Sequence, residues 1–485
     1  MSRSDLGKIF QPRSVAVVGV SSGGLKHQFG GANFVHALLQ CGFRGNIYPV
    51  NPKDGEVLGL KVYPSLSAIP EPVDYVICCI PAAQVPHLVE ECAAKGVKAI
   101  QIYTGGFSES GSEQGRQWEQ RIVSLARQNN IRIIGPNCVG LYSPGEGIAF
   151  LPDCPRELGH VGIISQSGGN SFYLVREGAK RGIRFSKVVS YGNASDVDES
   201  ELLQFLAQDK DTEVIGAYIE GVKDGGKFVR ALREASQVKP VVLLKGGVGE
   251  AGARAVASHT GTLVGSEQVW DALLRQFGVV RVFSLEELID SLVAFCFLPV
   301  GVGRRVAIVG GGGGSSVLST DACTSAGLIV PRFPEDIQDK LRSYMKKGNV
   351  GVILSNPVDL SDQGWGVFDS CFQTVLGYDG IDLVILQVAA GAIPASDALR
   401  VMGALFMEEI AKIRQRATKP VAVVVHSLIS DDCWWVASEV QHRCARIGVP
   451  FYHSLGSAAK AIARLVDYYQ KRRVTAEQGC YLNPN

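Results

Sequence analysis

The sequence predicts an α/β protein made of three doubly wound parallel-sheet units. Three observations carry this reading. Short β-branched segments alternate with helical periods along nearly the whole chain, the signature of a parallel sheet covered by helices on both faces. An aliphatic strand running into a glycine-rich turn and then a helix occurs three times, at SVAVVGVSSGG (14–24), HVGIISQSGG (160–169) and RRVAIVGGGGGSS (304–316). The chain is 485 residues long, beyond the roughly 250–300 residues at which one core stops growing, so about three domains are expected.

In order along the chain, residues 14–20, 45–50, 74–80, 99–103 and 131–134 read as strands, and residues 85–95 and 115–128 between them as helices. In the second unit, 214–219 and 241–245 read as strands and 266–277 as a helix, and the third unit closes on a helical pattern at 458–473. Pro- and Gly-rich seams at 152–159 and 299–303 place the domains at 1–145, 146–300 and 301–485.

Composition sets outer bounds. Hydrophobic residues make up 46% and charged residues 20% of the chain, the balance of a folded globular protein. Lys+Arg (48) and Asp+Glu (47) nearly cancel, so no overall field draws the protein to nucleic acid or an anionic membrane, and any anion must be bound locally. The opening MSRSDLGKIFQPRS has no signal-peptide apolar core, and the longest apolar runs, such as 75–83, are too short to span a bilayer, so a cytoplasmic location is expected. The 12 cysteines are scattered without a C-x-x-C, and Cys78 and Cys79 point to opposite faces of one strand. Buried thiols are expected, with no disulfide framework and no metal site.

In the first unit, the turn at 19–24 places backbone N–H groups at a helix start, a cradle for a pyrophosphate. Its spacing is not G-x-G-x-x-G, and the second strand ends in Asn51-Pro52-Lys53 without the carboxylate that grips a ribose 2′-hydroxyl. A neutral amide and a lysine suit a ribose bearing a phosphate, as in NADP or CoA. A glycine turn required only by packing is the alternative. Two further strands end in turns at Ile80-Pro81-Ala82 and Tyr103-Thr104-Gly105-Gly106-Phe107, at the same carboxyl edge.

Seven of the eight histidines sit in ordinary contexts, such as His36 and His87 on helical patterns, His160 before a strand and His426 at a strand end. His259 lies instead in a long small-residue segment, 246–265, read as a mobile loop between a strand and a helix. A nucleophilic histidine needs one free ring nitrogen and a partner on the other. Glu220, at the end of the neighbouring strand, is the candidate partner, although polar residues at strand ends also serve to cap turns. The loops Ser165-Gln166-Ser167-Gly168-Gly169 and Gly312-Gly313-Gly314-Ser315 each open a helix and are candidate phosphate sites, since two helix N-termini can hold a phosphate without Lys or Arg. Tight strand-to-helix packing is the other reading of both.

These segments resemble the ADP-forming acyl-CoA synthetases, the acetate–CoA ligase relatives of succinyl-CoA synthetase. The resemblance runs through VGVSSGG, NPK (51–53), IPA (80–82), YTGGFSE (103–109) and GPNCVG (135–140), then GIISQSGG, SYGNASDVD (190–198), YIEGV (218–222), VLLKGG (242–247) and SHTGTLVG (258–265), and ends on the glycine run and SNPVDL (355–360). It implies an N-terminal Rossmann-like CoA-binding domain followed by two flavodoxin-like, succinyl-CoA-ligase-type domains. It implies phosphorylation of His259, with Glu220 steadying it, and CoA contacts from Gly19, Ser21, Ser22, Lys26, Asn51, Pro52, Lys53, Ile80, Pro81, Ala82, Thr104, Gly105, Gly106 and Asn137. No segment resembles the ATP-grasp module these enzymes need. The resemblance therefore implies a separate ATP-grasp β subunit holding ADP/ATP and Mg, with a heterotetramer expected, acting on a carboxylic acid or acyl-CoA. A CoA-binding or acyl-CoA-sensing scaffold, an NADP-dependent oxidoreductase and a related carbamoyl-transfer enzyme are the alternatives, and the acyl group is left open.

Overall fold

The computed structural model describes residues 6–21, 30–53, 55–260, 265–345, 353–360, 365–392, 408, 411–412 and 415–481, with backbone alone at 255, 257–260, 365, 389, 392 and 474–481. Its sheets carry three successive α/β units. Two compact units divide the chain, residues 1–177 with 184–288, and residues 178–183 with 289–485. The first contains two of the sheets and the second the third.

The first sheet comprises β1 (Ser14–Val18), β2 (Asn46–Val50), β5 (Tyr75–Cys78), β6 (Ala99–Ile102) and β7 (Arg132–Ile134), all parallel in the order β2-β1-β5-β6-β7, and a small hairpin, β3 (Gly55–Val57) with β4 (Leu60–Val62), follows β2. Helices α1 (Gly31–Gln40), α2 (Val85–Lys95) and α3 (Glu113–Gln128) connect the strands. Every residue of β1, β5 and β6 is buried, as expected of parallel strands covered on both faces. The order reverses between β1 and β5. In an open α/β sheet that switch point opens a crevice outside the carboxyl ends of the two strands.

The second sheet repeats the scheme with β8 (Gly140–Tyr142), β9 (Val161–Ser165), β10 (Phe185–Ser190), β11 (Val214–Ile219), β12 (Val241–Lys245) and β13 (Val280–Val282), in the order β13-β12-β11-β9-β10-β8. All pairs are parallel except β8 with β10. Its switch point lies between β9 and β11, which end at Ser165 and Ile219. The helices are α4 (Gly168–Lys180), α5 (Glu199–Gln208), α6 (Gly225–Val238), α7 (Glu250–Thr260), α8 (Glu267–Gln276) and α9 (Leu285–Phe297). Helix α7 occupies much of the segment read from sequence as a loop. Its run Glu250-Ala-Gly-Ala-Arg-Ala-Val-Ala explains why: alanine has the highest helix propensity, and Glu250 complements the N-terminal dipole.

Two turns interlock these sheets. Asn193 and Ser195 donate backbone N–H groups to the carbonyls of Pro136 and Gly135, each at 3.0 Å, and Val197 donates to Ile133 at 3.1 Å. Gly192, at φ +52°, passes so close that a Cβ there would sit 2.2 Å from the Pro136 carbonyl oxygen, so no side chain fits. Arg132 joins the contact, pairing with Asp196 at 2.8 Å and bidentately with Glu201 at 3.0 and 2.8 Å. The GPNCVG and SYGNASDVD segments thus hold the carboxyl ends of the two sheets together.

The third sheet consists of β14 (Val306–Val309), β15 (Leu383–Ala389), β16 (Val421–His426) and β17 (Phe451–Tyr452), parallel and in sequence order. Helices α10 (Gly313–Ser325), α11 (Glu335–Tyr344), α12 (Trp365–Leu376), α13 (Asp431–Ile447) and α14 (Leu455–Tyr481) surround it. Its core includes Val309, Phe333, Phe372, Leu386, Val425 and Phe451. Among the described residues every cysteine is a free thiol, no helix is long and apolar enough to cross a membrane, and no cluster of His, Cys, Asp or Glu is arranged to hold a metal ion.

Candidate functional site

The clasp between the first two sheets borders an open cavity of about 660 Å³. Ile80, Pro81, Thr104, Gly105 and Asn137 line it from the first sheet's loops, and Gln166, Ser167, Gly168 and Gly169 from the second's. Residues singled out for CoA and residues singled out for phosphate therefore share one chamber. Tyr103, read from sequence as part of a turn at this edge, also lines it, and Cys79, Cys138, Val139 and Phe172, which were not singled out as contacts, complete the wall.

The floor is the N-terminus of α4. Ser167 caps it, its hydroxyl accepting from the Asn170 N–H at 3.3 Å while its carbonyl receives the Ser171 N–H and hydroxyl at 3.1 and 2.8 Å. Gly168 and Gly169 begin the helix, so their N–H groups have no acceptor one turn back. They line the cavity and give it a cationic pole without a charged side chain.

Gln166 ties this floor to Glu220. Its side-chain oxygen accepts the backbone N–H of Glu220 at 2.8 Å and of Gly221 at 3.2 Å, which leaves the amide NH₂ as the end able to serve a ligand. Glu220 is 5% exposed, and its carboxylate accepts the Tyr218 hydroxyl at 3.1 Å. Burial and the neighbouring carboxylate push the Tyr218 phenol up, so it acts as a neutral donor. Lys245, at the end of β12, donates to the Glu220 carbonyl at 2.7 Å and to the Gly246 carbonyl. Its ammonium lies 5.2 Å from the Trp270 ring centroid. Burial lowers the Lys245 pKa to about 8, the Glu220 charge opposing the shift and Arg281 adding to it. Gly246 can leave the strand here because it is bare: a Cβ would stand 2.9 Å from the Tyr218 hydroxyl and 3.3 Å from Glu220 Cγ.

Helix α7, four residues beyond Gly246, packs against the short 3₁₀ turn at Ser108–Ser110. The backbone of His259 belongs to its last turn, and its side chain lies outside the described residues, as do Ser22 and Lys26.

Several of the expected ligands also carry structural duties. Gly19, at φ +97°, donates its N–H to Val50 at 3.0 Å, and a Cβ there would come within 2.7 Å of the Cys79 carbonyl oxygen. The Asn51 side chain donates to the Val20 carbonyl at 2.6 Å and accepts the Lys53 N–H at 2.9 Å, locking the turn after β2. Pro52 and Lys53 are exposed, Ser21 is half-buried, and Ala82 is buried at the head of a 3₁₀ turn. The Thr104 hydroxyl donates to the Ile80 carbonyl at 2.6 Å. Gly106 is not among the residues lining the cavity, and its N–H donates to the Glu109 carboxylate at 2.6 Å.

Glu109 belongs to a polar group that the sequence did not reveal. Asn193 donates to Glu109 at 2.5 Å and to Glu119 at 3.1 Å, while Glu119 also accepts from Ser195 at 2.5 Å and from the Ser108 hydroxyl at 2.6 Å. Burial works against the Glu119 charge, yet hydrogen bonds from Ser108, Ser195 and Asn193 outweigh it and hold the carboxyl below its usual range. The only signal for Glu109 and Asn193 was their place in YTGGFSE and SYGNASDVD; Glu119, on α3, gave none. In the second compact unit the Gly312–Ser315 turn opens α10. The Ser315 hydroxyl accepts the Gly312 N–H at 2.9 Å, so that serine closes its own turn.

Burial holds the Cys138 thiol up at about 12 and raises that of Cys79. Both thiols are neutral, and neither is a ready nucleophile.

Three family models account for the three units: a CoA binding domain at residues 13–144, a succinyl-CoA ligase like flavodoxin domain at 158–295 and a ligase-CoA domain at 306–432. Together they define a protein of the succinyl-CoA ligase type. The chain is 35% identical to acetate–CoA ligase [ADP-forming] II of Archaeoglobus fulgidus, over 96% of this chain and 68% of that protein. It is 38% identical to the acetate–CoA ligase [ADP-forming] I subunit alpha of Pyrococcus furiosus, over 74% of this chain and 78% of that subunit. A solved dinucleotide-forming acetyl-coenzyme A synthetase 1 of Ca. Korarchaeum cryptofilum, in complex with phosphate and ADP, matches with a TM-score of 0.81 at 28% identity, covering 98% of this chain and 99% of that one. The chain belongs to the family of ADP-forming acetate–CoA ligases.

Proposed function

We propose that this chain is the CoA-binding, phosphohistidine-carrying part of an ADP-forming acyl-CoA synthetase, catalysing acyl-CoA + phosphate + ADP = carboxylic acid + CoA + ATP together with an ATP-grasp chain. The observation that carries the reading is the shared cavity, where loops expected to hold CoA meet the bare N-terminus of α4 beside Glu220.

In the first step a phosphate oxygen attacks the thioester carbonyl carbon, the carbon–sulfur bond breaks, CoA leaves as its thiolate, and an acyl phosphate remains. The N–H groups of Gly168 and Gly169 and the NH₂ of Gln166 are placed to stabilise the negative charge, and a fixed set of dipoles does this without reorganising. In the second step a ring nitrogen of His259 attacks phosphorus and the carboxylate departs. The Glu220 carboxylate, held by Gln166 at its backbone and by Tyr218 at its side chain, accepts the N–H of the other ring nitrogen and steadies the cationic phosphohistidine. The segment bearing His259 then presents the phosphoryl group to ADP and Mg on the ATP-grasp chain. Relatives named as alpha subunits support such a partner, the assembly expected being a heterotetramer, and a relative longer than this chain supports a fused alternative.

The isolated chain tests the first step. With an acyl-CoA and arsenate in place of phosphate it should release CoA thiol, because an acyl arsenate hydrolyses spontaneously. The chain alone should make no acyl-CoA from acid, CoA and ATP until an ATP-grasp chain is added. Absence of arsenate-dependent thiol release with every acyl-CoA offered would overturn the reading.

A further inference from the structure

Lysine is rarely buried without a partner, because its ammonium must give up water. Lys245 closes β12 at 4% exposure, in register with Ile219 at the end of β11. Its ammonium turns across the ends of both strands, donating to the Glu220 carbonyl at 2.7 Å and to the Gly246 carbonyl. Glu220 is thereby held on both sides of its backbone, since its N–H goes to Gln166 at 2.8 Å. Gly246 is held likewise, its N–H donating to the Ile219 carbonyl at 2.8 Å. The chain therefore leaves the sheet toward α7 from a point fixed against Glu220. It returns at Gly265, in the left-handed region at φ +73°, where a Cβ would stand 3.1 Å from Trp270 Nε1. Trp270 is 6% exposed on α8 and tilts against Phe228 of α6 at 5.2 Å between centroids. Arg281 of β13 pins the same helix, pairing with Glu267 at 3.1 Å and Asp271 at 3.0 Å. The Lys245 ammonium lies 5.2 Å from the centroid of the Trp270 ring. Both ends of the segment that bears His259 thus meet one buried lysine–tryptophan pair.

We propose that Lys245 and Trp270 are positioning residues for transfer of the phosphoryl group to His259, a post that holds both ends of the His259 segment and keeps Glu220 in register with it. The proposal rests on the function given above. Lysine supplies what a neutral residue cannot: charge-assisted bonds to carbonyls at the ends of two neighbouring strands, and a cation for the indole. Neither side chain is among those lining the cavity beside α4. Their effect should therefore fall on the second step, in which a ring nitrogen must meet phosphorus in line, and far less on the first. A reacting group misplaced by about 1 Å costs about 10²-fold in rate.

Two rates measured on the isolated chain test this: labelling of His259 by acetyl or butyryl phosphate, and arsenate-dependent release of thiol from the matching acyl-CoA. Lys245→Met keeps the aliphatic stem and removes the cation. It should slow labelling about 10²-fold at saturating acyl phosphate, with the half-saturating concentration unchanged, and slow thiol release at least about tenfold less than labelling. Trp270→Phe keeps a weaker ring beside the ammonium and should slow labelling by about threefold to tenfold. In the double variant the second change should add less than it does alone, because the two side chains act as a unit. Labelling at the parent's rate in folded Lys245→Met, labelling and thiol release that fall by the same factor, or effects that simply multiply would overturn the proposal and leave the function standing. If Lys245→Met does not fold, Trp270→Phe decides by the same comparison of the two rates. A parent that is never labelled on His259 would strike the function itself, so the two failures are distinct.

Discussion

Replacing Gln166 by leucine should damage both stability and chemistry. The side chain is 3% exposed, and its oxygen accepts two backbone N–H groups, from Glu220 at 2.8 Å and Gly221 at 3.2 Å. Leucine fills similar space but accepts nothing, leaving both donors buried without a partner. An orphaned buried donor costs about 1–3 kcal/mol, and since the second bond is the longer, the sum should be about 2–4 kcal/mol. Urea unfolding should show this as a lower midpoint at unchanged slope. Because the same two bonds fix the backbone of Glu220, phosphorylation by an acyl phosphate should slow in parallel. Gln166→Glu keeps an acceptor there and should recover most of the stability. A Gln166→Leu protein that unfolds at the parent's midpoint and is phosphorylated at the parent's rate would refute the link between Gln166 and Glu220.

Two further outcomes follow from charges near the site. Burial lowers the Lys245 pKa from 10.5 to about 8, so between those values the unfolded chain binds the extra proton and stability should rise with pH across that window. Lys245→Met should flatten that rise when urea midpoints at pH 8 and pH 10 are compared, and a slope kept by the variant would assign it to another group. Lys53 is exposed beside the turn that Asn51 locks, so Lys53→Glu should weaken CoA strongly in calorimetry but dephospho-CoA far less. Equal losses would place the 3′-phosphate elsewhere.

Much of the fold was legible because parallel strands covered on both faces must be continuous aliphatic runs and must end in turns. Val161–Ser165 and Val306–Val309 could hardly be anything else. Glu220 was legible for the same reason, as the polar residue that closes such a strand. What the sequence did not show was the structural duty of the turn residues. Gly19 and Asn51 also bond to Val50 and Val20, contacts made only when β1 and β2 pair. The expected loop before His259 became α7 because helix propensity in an alanine-rich run outweighed a single glycine, Gly252. The Glu109–Asn193–Glu119 group was invisible because it joins residues up to 84 positions apart, which no local pattern records.

The central claim is that His259 carries the phosphoryl group with Glu220 as its partner, and direct labelling tests it best. Incubated with acetyl or butyryl phosphate, the chain should acquire an acid-labile, alkali-stable phosphate that mass spectrometry places on His259. His259→Asn should abolish the label while CoA binding persists, and Glu220→Gln should slow labelling by about 10² to 10⁴, the range for losing an acid–base partner. A label on another residue, or undiminished labelling of His259→Asn, would contradict the account.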